Sequence, residues 1–427
     1  MTVRRRYQAV EGEIVNLDPP LVDRLRQAVL RLHAALRMSL PALEEDASGL
    51  RVRNLIGAID LGDGIILDVE PKTRPGEDWV RSVLSLLVGD DPADAAGDRS
   101  GSQDMARPDL MEAIAAIYAA RLERALRREG PLLTMRRTSQ RGAVFKGKLD
   151  VDRWLEGVFC KPAQFPVSYD VLTADNEFTS ALTYVCHVLK ASSRNARTRA
   201  RLTQLSSMLR LGLPPMALPS PGVERRLLPP QWAVYRPAWA IACAVLARRS
   251  LLGPTGRLAG ISIAIEAWPL LERLLERSIA AAVDLGPSRG RSFFAPAKAT
   301  TPLLVRSAKT GREFHELEPD GLLQEDGAIA IAFEAKYRDF DPRSGPLRGE
   351  VYQALAAARA VSAPVSVLVY PNQFETISWS VSGAGSPSRL FAIGLDLFGY
   401  VRGREVDRGR ELLKCLDAKA CVAAKIA

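Results

Sequence analysis

The sequence has few of the residues that build disulfide frameworks and zinc sites. Its 427 residues include five cysteines and three histidines. The cysteines are scattered without CxxC spacing, and the histidines His33, His187 and His315 lie far apart. This pattern argues against a disulfide framework, a zinc site and a histidine-based metal site, and it is typical of a chain in a reducing cytoplasm.

Long apolar segments and a phosphate-binding loop are also missing. The longest apolar run, 238–247, is too short to cross a bilayer. The basic start at Met1–Arg6 is not followed by the apolar segment of a signal peptide, so we expect a cytoplasmic protein without membrane spans. No GxxxxGK(S/T) motif occurs, and any nucleotide-driven motor must therefore be another chain.

What is present is a globular composition with an excess of positive charge. Hydrophobic residues make up 47% and charged residues 25% of the chain, values that argue against a mostly disordered protein. The formal net charge of +9 favours an acidic partner such as nucleic acid. The length suffices for two or three domains, each with its own core.

The pattern along the chain predicts an α/β protein, α+β overall, with four regions. We expect an N-terminal α+β domain over 1–150, a mainly helical middle region over 151–250, a domain with a mixed sheet flanked by helices over 251–400, and a charged helical tail over 401–427. The proline-rich segment 213–230 is the expected domain junction.

Hydrophobic periodicity and turn residues predict the individual elements. Helices are expected over 21–38, 77–88, 110–128, 178–211, 232–249 and 350–360, with a further helix starting at 261. Strands are expected as a pair within 51–70 and near 144–151, 366–370 and 390–395, and a loop is expected over 89–102.

The stretch around which the chain is organised runs from Glu318 to Tyr337. Apolar residues alternate at Ile329, Ile331 and Phe333, and Asp326-Gly327 just before them is a hairpin turn signal. The segment is therefore predicted to be a β-hairpin.

The position of Asp320 in this hairpin depends on the loop. A two-residue turn at Asp326-Gly327 pairs 325 with 328 and places Asp320 across from Phe333. A three-residue loop pairs 325 with 329 and places Asp320 across from Glu334. We expect the second register, or a bulge with the same effect.

In that register two carboxylates and a lysine converge at about 5 Å between Cβ atoms. Asp320, Glu334 and the carbonyl of Ala335 offer the hard oxygen ligands that suit Mg²⁺, with Mn²⁺ as an alternative. Lys336 is placed to orient a metal-bound water and to offset charge on a phosphate. The competing interpretation is a solvated hairpin with a cross-strand ion pair.

Pro319-Asp320 followed by Glu334-Ala335-Lys336 resembles the PD-(D/E)xK nuclease signature. Five further segments resemble, in the same order, the McrC subunit family of McrBC-type modification-dependent restriction systems. These segments are Arg51–Lys72, Tyr169–Phe178, Pro269–Glu272, Tyr352-Gln353 and Val367–Pro371. The chain departs from the family pattern at three places: Thr179 or Ser180 replaces an asparagine, Leu271 an aromatic residue and Ala357 a tyrosine.

The resemblance implies a C-terminal PD-(D/E)xK restriction-endonuclease-like domain that hydrolyses DNA. It adds Glu272 as a further metal carboxylate and Gln353 as a residue that positions water or a neighbouring group. It also implies a McrB-like AAA+ GTPase ring as partner, contacted by residues 1 to about 250, and double-stranded DNA, methylated or unmodified, as substrate.

Basic residues near the hairpin are the expected DNA contacts, because each neutralised phosphate adds salt-sensitive affinity. They are Lys298, Arg338, Arg343 and Arg348. Two other basic runs, 136–148 and 194–201, suit either DNA, the partner ring or solvent.

The leading hypothesis is thus an Mg²⁺-dependent DNA endonuclease subunit that stimulates a partner GTPase. Two alternatives stay open: a catalytically silent adaptor that activates an NTPase, and a nuclease of the same fold in another defence or repair system.

Overall fold

The computed structural model describes residues 5–36, 38–73, 79–88, 110–210, 218–250, 263–286, 292–295, 303–306, 308–311, 313–316, 318–382 and 387–417. Its contacts divide the chain into two compact units. The first combines Met1–Ala113 with Ser262–Ala427, and the second is Ile114–Ile261. The predicted boundaries at 150, 250 and 400 do not coincide with this division.

The N-terminal part of the first unit contains a small sheet covered by one helix, a separate two-stranded sheet and a second helix. Its elements are β1 (Arg5–Val10), α1 (Pro19–Leu36), β2 (Leu43–Asp46), β3 (Gly49–Val52), β4 (Leu55–Gly62), β5 (Ile65–Glu70) and α2 (Trp79–Val88). The apolar face of α1, with Leu25 and Val29 fully buried, packs on Ile59 and Leu67 of the sheet. Burying such side chains is the main stabilising contribution of this layer.

Strand β9 (Ile263–Glu266) explains why the two ends of the chain form one unit. It pairs antiparallel with β4 and completes a four-stranded sheet in the order β1-β5-β4-β9. A helix was predicted to start at 261, and this prediction is wrong for Ile263–Glu266. The alternation of that segment is short, and pairing with a distant strand decided its conformation.

The remaining C-terminal elements form a mixed six-stranded sheet flanked by helices and a separate two-stranded sheet. They are α8 (Trp268–Leu285), β10 (Phe293–Phe294), β11 (Leu303–Arg306), β12 (Glu313–Glu316), β13 (Gly321–Glu325), β14 (Ala328–Ala335), α9 (Arg348–Ala360), β15 (Val365–Tyr370), β16 (Ile377–Ser380), β17 (Arg389–Gly394) and α10 (Glu405–Asp417). The strand order is β10-β13-β14-β15-β17-β16, with β14, β15 and β17 parallel. The predicted α+β class and the mixed sheet flanked by helices are confirmed.

Helices α8 and α9 cover opposite faces of this sheet. Gly321, across from Phe333, lies so close to α8 that a Cβ there would come within 2.5 Å of Ile279 Cδ1. The next residue on β14, Ala332, packs instead against Ala358 of α9. Neighbouring residues of a strand point to opposite faces, so Glu334 shares the α9 face with Ala332.

The predicted C-terminal tail is partly a packed helix. Leu412 and Leu413 of α10 are fully buried, and the helix lies against α8, where Gly409 closely approaches Ala281. Residues 418–427 lie outside the described part of the chain.

The second unit is helical with a three-stranded sheet. Its elements are α3 (Leu110–Glu129, which begins in the first unit), β6 (Thr134–Gly142), β7 (Lys148–Leu149), α4 (Val151–Gly157), β8 (Phe165–Thr173), α5 (Glu177–Ser192), α6 (Ala196–Leu209) and α7 (Arg236–Ser250). The strand predicted at 144–151 is mostly wrong, because the long strand is β6. The helix predicted over 178–211 is two helices, since Asn195 caps the second with its side chain.

Other predicted elements agree with the structure. The helices over 21–38, 77–88 and 110–128 and the strands within 51–70, 366–370 and 390–395 are present within a few residues. The helix predicted over 232–249 begins only at Arg236, because Pro230–Tyr235 forms a 3-10 helix. The loop predicted over 89–102 lies outside the described residues, and none of the described helices has the length and hydropathy that crossing a membrane requires.

Gly394 provides a test of this packing. A Cβ at this position would lie 2.2 Å from the backbone oxygen of Asn372, whereas a Cβ at Gly349 in α9 would meet no atom within 4 Å. We expect Gly394→Ala to lower the free energy of unfolding by about 1–3 kcal/mol because a backbone atom must move. Gly349→Ala should leave it unchanged or slightly raised; chemical denaturation of both variants measures the difference. Equal stabilities would contradict the packing described here.

Candidate active site

The hairpin of β13 and β14 sets the position of the predicted carboxylates. Its turn has two residues, Asp326 and Gly327, with φ of 49° and 87°, and Glu325 pairs with Ala328. The three-residue loop is therefore wrong. A bulge shifts the register between Leu323 and Gln324, as the alternative prediction required.

The bulge places Asp320 on the same face of the sheet as Glu334. Beyond it, Leu323 pairs with Ile331 and Gly321 with Phe333, which leaves Ala330 as the extra residue. Continuing this register places Asp320 across from Glu334. The Asp320 carboxylate accepts a hydrogen bond from the Ala335 N–H at 2.7 Å, so it lies at the end of β14 beside both residues.

Glu334 is a buried carboxylate with one oxygen engaged. Its side chain is only 4% exposed, and its Oε1 accepts a hydrogen bond from Lys336 Nζ at 2.7 Å. The buried Oε2 has no hydrogen-bond partner among the described residues. Buried acceptors are rarely left unpaired, so this oxygen is suited to a further ligand.

The electrostatics at Glu334 favour a cation. Burial, followed by the charge of Asp320, raises the pKa of Glu334 from 4.5 to about 7, although Lys336 lowers it and Glu272 adds a smaller increase. A cation placed between Asp320 and Glu334 would relieve this repulsion. Two carboxylates, the Ala335 carbonyl and waters match the ligands that Mg²⁺ accepts, so the residues present fit such a metal.

The position of Glu272 does not decide whether it joins these groups as a metal ligand. It lies half-buried near the start of α8. Within the ranges that the structure describes, no three His, Cys, Asp or Glu side chains form a group able to hold a metal ion. Its charge nevertheless acts on Glu334, so its role as a metal carboxylate stays a prediction.

Lys336 and Gln353 meet beside the carboxylates. Lys336 Nζ donates to Gln353 Oε1 at 2.8 Å as well as to Glu334. The backbone N–H of Lys336 donates to Val369 O at 2.8 Å, which attaches the lysine to β15. The Lys336 side chain is 18% exposed, so it keeps access to a substrate. Four of the predicted site residues, Asp320, Glu334, Lys336 and Gln353, are thus brought together.

A polar cluster that the sequence analysis missed fixes α9 and its Gln353. Both Glu350 carboxylate oxygens accept hydrogen bonds from Arg338, from Nε and Nη2 at 2.6 Å each. Glu350 also accepts from the Leu347 N–H at the start of α9 and from the Tyr370 hydroxyl, each at 2.9 Å. The only signal in the sequence was Glu350 in the first helical turn, which is typical of helix capping.

The predicted DNA contacts have different surroundings. The Arg338 guanidinium serves the cluster just described and stacks over the Tyr370 ring at 5.2 Å, which argues against its role as a phosphate contact. Arg343 and Arg348 are exposed, and Arg348 Nε donates to the Tyr352 hydroxyl at 2.8 Å. Lys298 lies outside the described residues.

The two other basic runs are largely engaged within the second unit. Arg136 pairs with Asp175 at 2.8 Å, and Lys146 lies over the Tyr169 ring at 4.6 Å. In the second run, Arg201 forms an ion pair with Glu123.

Comparison with known proteins gives one family. The family described as McrBC 5-methylcytosine restriction system component matches residues 50–371, which is most of the chain. No curated protein matches the chain.

Two solved structures are similar in fold. One is described as a refined half-complex from the tetradecameric assembly of Thermococcus gammatolerans McrB AAA+ hexamers with bound McrC; its similar chain has a TM-score of 0.66 and 15% identity, with 96% of this chain and 99% of that chain covered. The other is the cryo-EM structure of the Thermococcus gammatolerans McrBC complex, with a TM-score of 0.51 and 16% identity, covering 65% of this chain and 88% of that chain.

The raised pKa of Glu334 predicts a pH dependence of stability. The folded protein holds the Glu334 proton up to about pH 7, whereas an ordinary carboxyl loses it near 4.5. The free energy of unfolding should therefore fall as the pH rises through this window, by roughly 2–3 kcal/mol. Glu334→Gln should remove that fall.

Urea unfolding in EDTA from about pH 5 to pH 8 measures the difference between wild type and Glu334→Gln. Parallel pH profiles for the two proteins would show that Glu334 ionises normally. Asp341→Asn, at an exposed carboxylate of the same unit, is the matched control.

Proposed function

Because the chain belongs to the family of McrBC 5-methylcytosine restriction system components, we propose that it is the metal-dependent DNA endonuclease subunit of a cytoplasmic restriction complex that defends against phage. The observation that carries the proposal is the convergence of Asp320, Glu334, Lys336 and Gln353 around a buried carboxylate oxygen of Glu334 that no described residue hydrogen-bonds.

Each residue has a distinct task in phosphodiester hydrolysis. Asp320, Glu334 and the Ala335 carbonyl would hold Mg²⁺ or Mn²⁺, which would supply Lewis-acid activation of water and phosphate. Lys336 orients the attacking water and offsets the negative charge that develops on the phosphate. Gln353 accepts from Lys336 Nζ and keeps the ammonium in place, and Glu272 adds negative charge nearby.

The DNA approaches the metal from the exposed start of α9. Arg343 and Arg348 are exposed there, and both lie within the segment that leads from Lys336 to Gln353. Their positive charges attract the phosphate backbone of double-stranded DNA in a salt-dependent manner. Lys298 remains part of this proposal, whereas Arg338 is assigned to positioning α9.

The second unit carries the surface for a McrB-like AAA+ GTPase ring. The similar solved structures contain McrB AAA+ hexamers with bound McrC or a McrBC complex. In the three-stranded sheet, Met135 and Leu172 are cross-strand partners that are 67% and 61% exposed; outside the sheet, in the turn after α4, Phe159 is 95% exposed. Exposed apolar groups of this size on one small sheet are typical of protein interaction sites.

Lys336→Ala tests the nuclease proposal. We expect this variant to lose DNA cleavage by ~10²-fold or more, because it removes the cation beside the phosphate. Stimulation of GTP hydrolysis in the partner should persist, because Lys336 lies beside the six-stranded sheet of the first unit and the proposed partner surface lies in the second unit. Plasmid cleavage with Mg²⁺ and GTP, with and without the partner, measures both activities. Lys309→Ala, at an exposed lysine of the same unit, is the control.

Two outcomes would favour the alternatives. If the wild type cleaves neither methylated nor unmodified DNA while GTP hydrolysis is stimulated, the chain is a catalytically silent adaptor. If it cleaves DNA without any response to a McrB-like partner, it is a nuclease that works with another motor in defence or repair.

A double substitution in the three-stranded sheet, which introduces two negative charges, tests the proposed partner surface. Met135→Asp combined with Leu172→Asp should abolish binding to the McrB-like ring and the stimulation of its GTPase, because two apolar contacts are replaced by charges. Metal-dependent chemistry in the first unit should be retained. Leu227→Asp, at a leucine that is 91% exposed in the same unit, is the matched control. Pull-down and GTPase assays measure the effect; unchanged binding would place the partner elsewhere.

A further inference from the structure

Glu11 is a buried carboxylate at the junction of the N-terminal sheet and the nuclease hairpin. It follows β1 directly, is 2% exposed, and its N–H donates to Glu70 O at 2.8 Å. A buried carboxylate is costly unless it is paired and hydrogen-bonded, so its partners indicate its purpose.

These partners come from three separate segments. Glu11 Oε1 accepts from the Asn54 N–H at 2.9 Å, and Lys72 Nζ lies 3.7 Å from the same oxygen. Oε2 accepts from the Tyr337 hydroxyl at 3.0 Å and from the Lys72 N–H at 3.4 Å. Both oxygens of this carboxylate thus accept hydrogen bonds from neighbouring segments. One of these segments directly follows the second strand of the hairpin.

The first connection leads to Lys336. Tyr337 is the next residue in the chain, and its ring lies under Lys72 Nζ, which is 4.8 Å from the ring centroid. The backbone of Lys336 is attached to β15 on one side through Val369. On the other side, the hydroxyl of Tyr337 is bonded to Glu11 at the end of β1. Lys336 is therefore held between two fixed points, Val369 and Tyr337.

The second connection leads to α8. Asn54 adopts a left-handed conformation with φ of 59°, and its carbonyl accepts the Ala267 N–H at 3.2 Å. Ala267 is the residue before α8, the helix that carries Glu272. The strained backbone of Asn54 is stabilised at its N–H by Glu11, so the same carboxylate supports both sides of the site.

We propose that Glu11 is a positioning residue for the nuclease site, holding Lys336 through the Tyr337 hydroxyl and the start of α8 through Asn54. This inference rests on the proposed nuclease function. It gives the N-terminal segment a direct part in the geometry of the reaction, and it gives Lys72, in the Pro-Lys pair that ends β5, a task as the counter-ion of Glu11.

The test compares Tyr337→Phe, Glu11→Gln and the double variant in the complex with the partner GTPase. Tyr337→Phe keeps the ring beneath Lys72 and removes only the hydroxyl. We expect it to lower kcat for DNA cleavage about tenfold with an unchanged KM, because the lysine acts in the transition state while DNA binding is separate. Glu11→Gln should have a similar effect, and the double variant should be no slower than the slower single variant.

Tyr400→Phe is the matched control. Tyr400 is a buried tyrosine of the same unit whose hydroxyl donates to Glu405 and accepts from Arg277 in the middle of α8, so the control also removes a tyrosine hydroxyl bonded to that helix, but one that does not touch Glu11 or Lys336. This variant should keep the wild-type kcat. Melting temperature and GTPase stimulation are measured for all variants.

The outcomes separate the two proposals. Wild-type kcat in Tyr337→Phe, with Lys336→Ala inactive, would overturn the positioning role and leave the nuclease function intact. A parallel loss of cleavage, GTPase stimulation and melting temperature would also overturn it, in favour of a purely structural bond. A wild type that fails to cleave DNA would overturn both proposals. A fall in kcat alone supports the positioning role.

Discussion

The repulsion between two carboxylates at the end of β14 is the constraint on which the site depends. Glu334 is buried beside Asp320, which raises its pKa, although each carboxylate has a fixed donor: the Ala335 N–H for Asp320 and Lys336 Nζ for Glu334. Such an arrangement is costly for folding and useful for binding a cation.

The surrounding groups are arranged to keep that geometry rigid. Glu350 joins Arg338, Tyr370 and the first turn of α9, so the helix that carries Gln353 is fixed to β15 and to the loop after β14. Charge-assisted, bidentate hydrogen bonds of this kind are stronger and more directional than neutral ones. On the other side Glu11 connects the hairpin to the first sheet, which makes the N-terminal strands part of the support of the site.

Some features were predictable and others were not, for identifiable reasons. The long helices and the parallel strands have strong periodicity, and Asp326-Gly327 marked the hairpin correctly. The segments Ile263–Glu266 and Thr134–Gly142 were misread, because the first is too short to show a period and the second is polar on both faces. Arg338 was assigned to DNA since a basic residue near a site carries no sign of its folded partner.

By itself the sequence determined the residue types of the site, their order and the two possible registers, because a strand period of two places 334 and 336 on one face whatever the fold. Only the tertiary structure decided that the bulge, rather than the loop, brings Asp320 across from Glu334. Glu11 and Tyr337 meet although 326 positions separate them. Contacts of this separation depend on how sheets pack against each other, and local sequence pattern contains no information about that packing.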